Sequence, residues 1–332
     1  ACTLLHPLDG FGRCDNGACA GDSGAGDAAQ QPPVIAATSC QLGGAGAAHD
    51  CAGGAADCCE TLCMEGGTFD RSNDPTALAT LGPFCLDRFE VTVGRFRNFV
   101  SAIDAGNATQ LHPPAAGAGA VPNVPGTGWD PSDDSALAPD EATLLATIAQ
   151  CNGMPAVAAW SDQSSTGLLR PMNCVDWYMA YAFCIWDGGR LETEAEWNFA
   201  AAAGAQQRNY PWGTQTIDPS YAAYDCTEGS WTGDPAGCPL SFLPPVGSYA
   251  KGDGLFGHAD LVGSMDEWML DWYGPYAVPC TPDCVNLVPD RSPGVRVERG
   301  DDWLHATFTN TVGRDFDVPS MIYPGKGIRC AR

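Results

Sequence analysis

Basic residues are scarce in this chain: 16 Lys+Arg stand against 40 Asp+Glu, a formal net charge of −24 over 332 residues. That balance opposes binding to nucleic acid or to an anionic membrane surface. No apolar run is long enough to span a membrane. Histidine is also rare, with five copies widely scattered, and the cysteines form no paired C-x-x-C motif. Both lacks argue against zinc as the reason for the cysteines. What remains is an oxidising compartment, where 17 cysteines persist as disulfides rather than thiols. The 40 glycines and 26 prolines predict many loops and few long helices. The acidity serves mainly to solvate the surface, and acidic surfaces also suit calcium.

Two regions are expected. Residues 1–64 carry Cys2, Cys14, Cys19, Cys40, Cys51, Cys58, Cys59 and Cys63 among Gly, Ala, Asp and Ser. Large apolar residues are too few there for a core, so cross-links must replace burial. Gly21 to Ala37 reads as an extended linker. No signal peptide is visible, so an exported protein would be the processed chain. Cys2 is a candidate lipid-attachment site, with a plain disulfide as the alternative.

Residues 65–332 form the main domain. Thr92 is placed to cap a first helix with Val93, Phe96, Val100 and Ile103 on one face. Residues 105–170 read as a loop-dominated insertion with a short helix over Pro139 to Gln150. A second helix is predicted from Asp176 to Trp186, stopped by Gly188-Gly189. Thr193 and Glu196 have the spacing of a capping box for a third. Trp177, Trp186, Trp197, Trp212, Trp268 and Trp303 are expected as core aromatics.

Five blocks carry a resemblance. They are Phe89-Glu90-Val91-Thr92-Val93, Arg190-Leu191-Glu192-Thr193-Glu194-Ala195-Glu196-Trp197, Tyr210-Pro211-Trp212-Gly213, Asp260 to Trp268, and Arg299-Gly300-Asp301-Asp302-Trp303 with Gly327-Ile328-Arg329-Cys330. In order and content they resemble the formylglycine-generating enzyme, or sulfatase-modifying-factor, family. That family's forms read E-V-T-V, R-L-P-T-E-A-E-W, Y-P-W-G, D-M-x-G-N-V-W-E-W, R-G-G-S-W and G-F-R-C. The resemblance implies an α+β, C-type-lectin-like fold, rich in loops and poor in regular secondary structure.

It also implies chemistry to look for. Family enzymes oxidise a peptide cysteine at a copper ion held by two cysteines after R-G-G-S, thiolates suiting Cu(I) because both are soft. The matching segment, Asp302 to Val312, has no cysteine, and the matching positions hold His305 and Asn310. The three-histidine iron site of the sulfoxide-synthase relatives is equally absent. The family's calcium loop does carry over. By resemblance the ligands are Asp260, the carbonyls of Gly263 and Met265, and Glu267, a mixture of oxygens suited to a hard cation. Ser264 and Asp266 depart from the pattern at positions that supply no side-chain ligand. A second family calcium site lacks its Asn near Tyr221-Ala222-Ala223-Tyr224 and is not assigned. The resemblance pairs Cys184 with Cys330. Local proximity proposes Cys151–Cys174, Cys226–Cys238 and Cys280–Cys284, which leaves an odd number of cysteines.

Between scaffold residues, the segment from Asp301 to Lys326 offers Asp301, Asp302, His305, Phe308, Asn310, Asp315, Phe316 and Tyr323 as candidate ligand contacts. It resembles the variable face of retroelement-diversified C-type-lectin-fold proteins. From Leu304 to Ser320 it contains no Lys, Glu, Gln, Met or Trp. Divergence after loss of catalysis explains this equally well. Mixed aromatic, acidic and hydroxyl side chains on loops suit recognition.

The expectation is a bacterial protein, secreted or on the cell surface, that is calcium-supported and non-catalytic. It binds a protein or glycan or joins an extracellular assembly. The alternatives are a metal-dependent oxidase using His305 with Asp301 or Asp302, and a structural subunit of a surface filament or layer.

Overall fold

A computed structural model describes residues 36–105, 112–161, 167–228, 237–276, 278, 280, 283–287 and 294–332. Cys2, Cys14, Cys19 and nearly all of the expected linker lie outside them. The helices in chain order are α1 (Thr38–Gln41), α2 (Val93–Ala105), α3 (Glu141–Gln150), α4 (Trp177–Trp186), α5 (Glu194–Ala202) and α6 (Asp225–Glu228). The strands are β1 (Thr61–Met64), β2 (Gly67–Asp70), β3 (Leu78–Leu81), β4 (Phe84–Asp87), β5 (Arg190–Leu191), β6 (Asp266–Trp272), β7 (Arg296–Arg299), β8 (Asp315–Asp317), β9 (Lys326–Gly327) and β10 (Cys330–Ala331). They form an α+β fold with three small sheets, ordered β1-β4-β10-β5, β2-β3 and β8-β7-β6-β9.

Local chemistry explains the helices. The Thr92 hydroxyl accepts the Arg95 amide at 3.1 Å and opens α2. From α2, Phe96 stacks on Phe183 of α4 with centroids 5.5 Å apart, and Phe99 meets Trp186. Asp176 caps α4 by accepting the Met179 amide. Helix α4 is apolar almost all round, which places it inside rather than at the surface. In α5 both arms of the capping box form, and Glu196 also receives two bonds from Arg190. All nine residues of α5 are buried.

The insertion does more than loop. Helix α3 is capped by Asp140, and its Leu144 and Ile148 enter the main core with Trp129 and Trp160. The sheet also begins upstream of the expected domain start at residue 65. Strand β1 pairs along its length with β4, and Cys63 is bonded to Cys85. A backbone ladder, invisible to composition, draws the end of the Cys-rich region into the main sheet.

Disulfides tie the periphery to this frame. Cys184–Cys330 joins α4 to β10 across 146 residues, a loop worth about 5 kcal/mol in the chain-entropy model. The structure also joins Cys151–Cys174, Cys226–Cys238 and Cys280–Cys284, as well as Cys40–Cys59 and Cys51–Cys58 near the N-terminus.

Candidate cation site and loop face

The loop entering β6 makes a buried acidic site. Its backbone turns through positive φ at Asp260, Gly263 and Ser264. Only glycine fits at 263, because an added Cβ would lie 2.4 Å from the Ala223 carbonyl oxygen. Asp260 accepts the Gly247 amide at 2.6 Å through Oδ2. Oε1 of Glu267 receives Nε and Nη2 of Arg329 at 2.9 and 2.6 Å, while its Oε2 has no hydrogen-bond partner. Glu90 accepts the Ser264 hydroxyl at 2.9 Å through Oε2, and its Oε1 is likewise unpartnered.

Glu90 and Glu267 are fully buried. Burial, then the charges of Asp260 and Glu267, push the Glu90 carboxyl well above the usual range. Burial, opposed by the Gly247 hydrogen bond, also leaves Asp260 raised. Thus Asp260, Gly263, Met265 and Glu267 share one loop and strand start, and Glu90 joins them from the turn before α2. In the sequence Glu90 stands out only as a member of the Phe89 to Val93 block. A carboxylate flanked by Phe89 and Val91 was the available signal.

A second acidic group lies beneath the C-terminal loop. Asp301 accepts the amides of Phe308 and Asp302 at 2.6 and 3.1 Å. Asp302 accepts those of Leu304 and His305 at 2.7 and 2.9 Å. Nδ1 of His305 lies 2.9 Å from Oδ1 of Asp302, and the imidazole, about two-fifths exposed, stacks near Tyr323. One ligand atom each of Asp301, Asp302 and His305 falls within 4.8 Å of the others, and so do those of Asp266, Glu298 and Asp315. The Asp301 amide donates to Asp266 at 3.0 Å and links the two groups.

Asp301 and Asp302 are therefore buried and shape the loop. His305, Phe308, Phe316 and Tyr323 keep some surface. Asn310 turns its Oδ1 to the amides of Val312 and Gly313 and holds the chain reversal. Asp315 and Phe316 sit on β8, with Phe316 packed 4.5 Å from the Tyr273 ring centroid.

Burial raises several of these acids: Asp301 to about 6, with Asp302 adding to the shift, and Glu298 to about 7 despite Lys326 at 2.5 Å. Burial, then Glu194, takes Asp271 on β6 to about 7. The Asp302 hydrogen bond raises His305. Each group binds a proton more readily folded than unfolded, so each loses stabilisation as pH rises through the interval between the two values. In chelator, stability should therefore fall as pH rises from about 4 to about 7. Urea denaturation at pH 5 and pH 7.5 checks this, and a rise in stability over that interval would contradict it.

No cysteine stands in the 302–312 segment, and all fourteen cysteines among the described residues are in disulfides. The chain matches the model of the sulfatase-modifying factor enzyme 1-like domain over residues 50–332. It belongs to that family.

Within the family, the formylglycine-generating enzyme of Thermomonospora curvata is 26% identical over 307 residues, covering 81% of this chain and 92% of the relative. The inactive C-alpha-formylglycine-generating enzyme 2 of Mus musculus is 26% identical over 282 residues, 77% of each chain. The structure of PvdO from Pseudomonas aeruginosa shares the fold, with a TM-score of 0.51 at 19% identity over 83% of this chain and 94% of that one. Measured against the family's motifs, Glu90, Asp260 and Glu267 keep the pattern, whereas four acids depart from it: Glu192 replaces Pro, Asp266 replaces Trp, and Asp301 and Asp302 replace Gly and Ser.

Proposed function

We propose that this chain is an exported, calcium-supported binding member of the sulfatase-modifying-factor family, presenting its C-terminal loop face to a protein or glycan. The observation that carries the reading is the absence of a free thiol pair at the described site, every described cysteine being in a disulfide. Without two thiolates the soft-ligand copper chemistry has no seat. The family includes a relative named inactive. Seven disulfides among the described residues suit an exported setting, and no described helix is long and apolar enough to cross a membrane.

The fit for calcium is supported by the unpartnered, buried Oε2 of Glu267, which follows Asp260 in the same loop and strand start. These side chains and the Gly263 and Met265 carbonyls would hold the ion, whose role there is to neutralise buried carboxylates and fix the loop that precedes β6. The loop face supports recognition through half-exposed rings. Next to Tyr323, Ile322 walls a cavity of ≈ 280 Å³ that Leu137, Leu144, Ile148, Asp176 and Met179 also line. A mainly apolar pocket, with Thr143, Thr147 and Asp176 also in its wall, suits a small side chain or ring of a ligand.

The test has two arms. The purified full-length protein, loaded with Cu(I), is incubated with a cysteine-containing peptide and the peptide is weighed by mass spectrometry. No aldehyde product is expected, and conversion to one would overturn the reading. Elemental mass spectrometry of natively purified protein should show calcium near one equivalent without redox metal.

A second reading rests on Asp301, Asp302 and His305, whose ligand atoms lie close enough for one ion. Two carboxylates and an imidazole suit a borderline or hard divalent metal better than copper(I). Near-stoichiometric iron or manganese that is lost in His305→Ala would favour this oxidase reading over the first.

A further inference from the structure

We propose that the cavity between α3 and α4 is a socket for a lysine side chain of a protein partner, with Asp176 receiving the ammonium. The proposal rests on the binding reading above and chooses within it a protein with a basic surface.

The cavity of ≈ 280 Å³ is lined entirely by residues outside the motif blocks. Helix α3 supplies Leu144 and Ile148, one turn apart on the side it packs into the core. The start of α4 supplies Asp176 and Met179. The Cys151–Cys174 bond ties the C-terminal end of α3 to the residues just before α4, and Cys174 itself lines the cavity. A covalent link therefore holds the two walls together at one side and limits how far they can slide past each other. Leu137, Leu144, Ile148, Val175 and Met179 are buried and form the floor. Thr143 is exposed, Thr147 and Ile322 are half-buried, and these mark the mouth.

The lining carries a charge without a counter-charge. Asp176 is the sole charged residue among those that line the cavity, and no Lys, Arg or His stands with it. Its Oδ1 caps α4 by accepting the Met179 amide at 2.9 Å. Burial raises the carboxyl to about 6, opposed by the backbone amides of Met179 and Tyr178 and by no cationic side chain. Capping does not call for the charge, because asparagine or serine accepts the same amide. The helix N-terminus offsets part of the charge. A carboxylate set among apolar walls is stabilised further by a cation that brings apolar surface of its own. A lysine side chain supplies both, its four-carbon stem lying along apolar groups and its ammonium reaching an acceptor. Arginine fits less well, because its fork calls for both carboxylate oxygens and one is already engaged. The chain's formal net charge of −24 draws a basic partner toward it.

The test uses full-length protein isotopically labelled at its methionine methyl groups, titrated with n-butylammonium chloride or with neutral n-butanol at matched ionic strength. The Met179 methyl signal, assigned with Met179→Leu, reports the cavity. Wild type should show a saturable shift with n-butylammonium and should bind n-butanol about tenfold more weakly or less, the scale of one charge-assisted hydrogen bond. Asp176→Asn keeps the cap and removes the charge, so it should lose that preference while its n-butanol affinity stays unchanged. Thr147→Phe fills the mouth and leaves the cap alone, and it should abolish the shift with either probe. No saturable shift with n-butylammonium in wild type, or equal binding of both probes that Asp176→Asn leaves unchanged, would overturn the inference and leave the binding reading standing. Conversion of the cysteine peptide by the copper-loaded protein would instead overturn that reading, whatever the amine does.

Discussion

Arg329→Met is expected to destabilise the protein by about 3–5 kcal/mol, the scale for removing one partner of a buried charge pair. The Arg329 guanidinium is fully buried and donates twice to Glu267 and to the carbonyls of Asp87, Arg88 and Ala259. Without it, Glu267, Glu192 and Glu90 would face one another with no cation, and three carbonyls would lose their donor. Methionine fills much of the volume, so the loss reports charge and hydrogen bonding rather than a cavity. Urea denaturation in chelator measures it. Calcium should restore part of the stability, because a divalent cation replaces some of the lost positive charge. Arg329→Lys, which keeps the charge but not the fork of donors, should fall between the two. A loss below about 1 kcal/mol for Arg329→Met, against that ~3–5 kcal/mol scale, would mean that the acids around it are already neutral.

Asp187→Ala is the second substitution with a large expected effect, again about 3–5 kcal/mol. Asp87 and Asp187 meet Arg95 and Arg332 in a fully buried square. Arg95 Nη2 lies 2.8 Å from Asp87 and 2.6 Å from Asp187, while Arg332 reaches the same two at 3.0 and 2.6 Å. Asp187 also accepts the Ser39 amide at 2.6 Å. The square therefore joins α1, α2, β4, the end of α4 and the C-terminal residue. Removing one acid leaves two guanidinium groups facing a single carboxylate and frees the N-terminal segment. For Asp87, burial works to raise the carboxyl, but Arg332 and Arg95 prevail and hold it below the usual range. Its contribution is therefore present above the unfolded value near 4 and is lost as pH falls through the folded value. Chemical denaturation at neutral pH and at about pH 3 separates the two effects. The gap between wild type and Asp87→Ala should narrow at the lower pH. An unchanged gap would show that packing, not charge, sets the cost.

Much of this molecule was written locally. The Thr92 cap, the Asp176 cap, the Thr193–Glu196 capping box and the Gly188-Gly189 stop each depend on residues within a few positions of one another, and the structure forms α2, α4 and α5 at those signals. The ordered motif blocks placed the chain in its family, because their glycines and aromatics answer to backbone and packing demands that any member must meet. The lack of cysteine from Asp302 to Val312 is equally plain in the sequence, and it leaves the copper thiolates without residues at the matching positions. Tertiary structure decided what the charged residues do. Glu90, Glu192, Asp260 and Glu267 are spread over 178 positions, and only folding sets them around Arg329, since pairing of buried charges is fixed by long-range packing. The same holds for Asp87 with Asp187 and for β1 with β4. Asp301 and Asp302 looked like surface ligand contacts, yet they lie under the loop, because the unpaired amides of a tight reversal need acceptors and these carboxylates are the nearest.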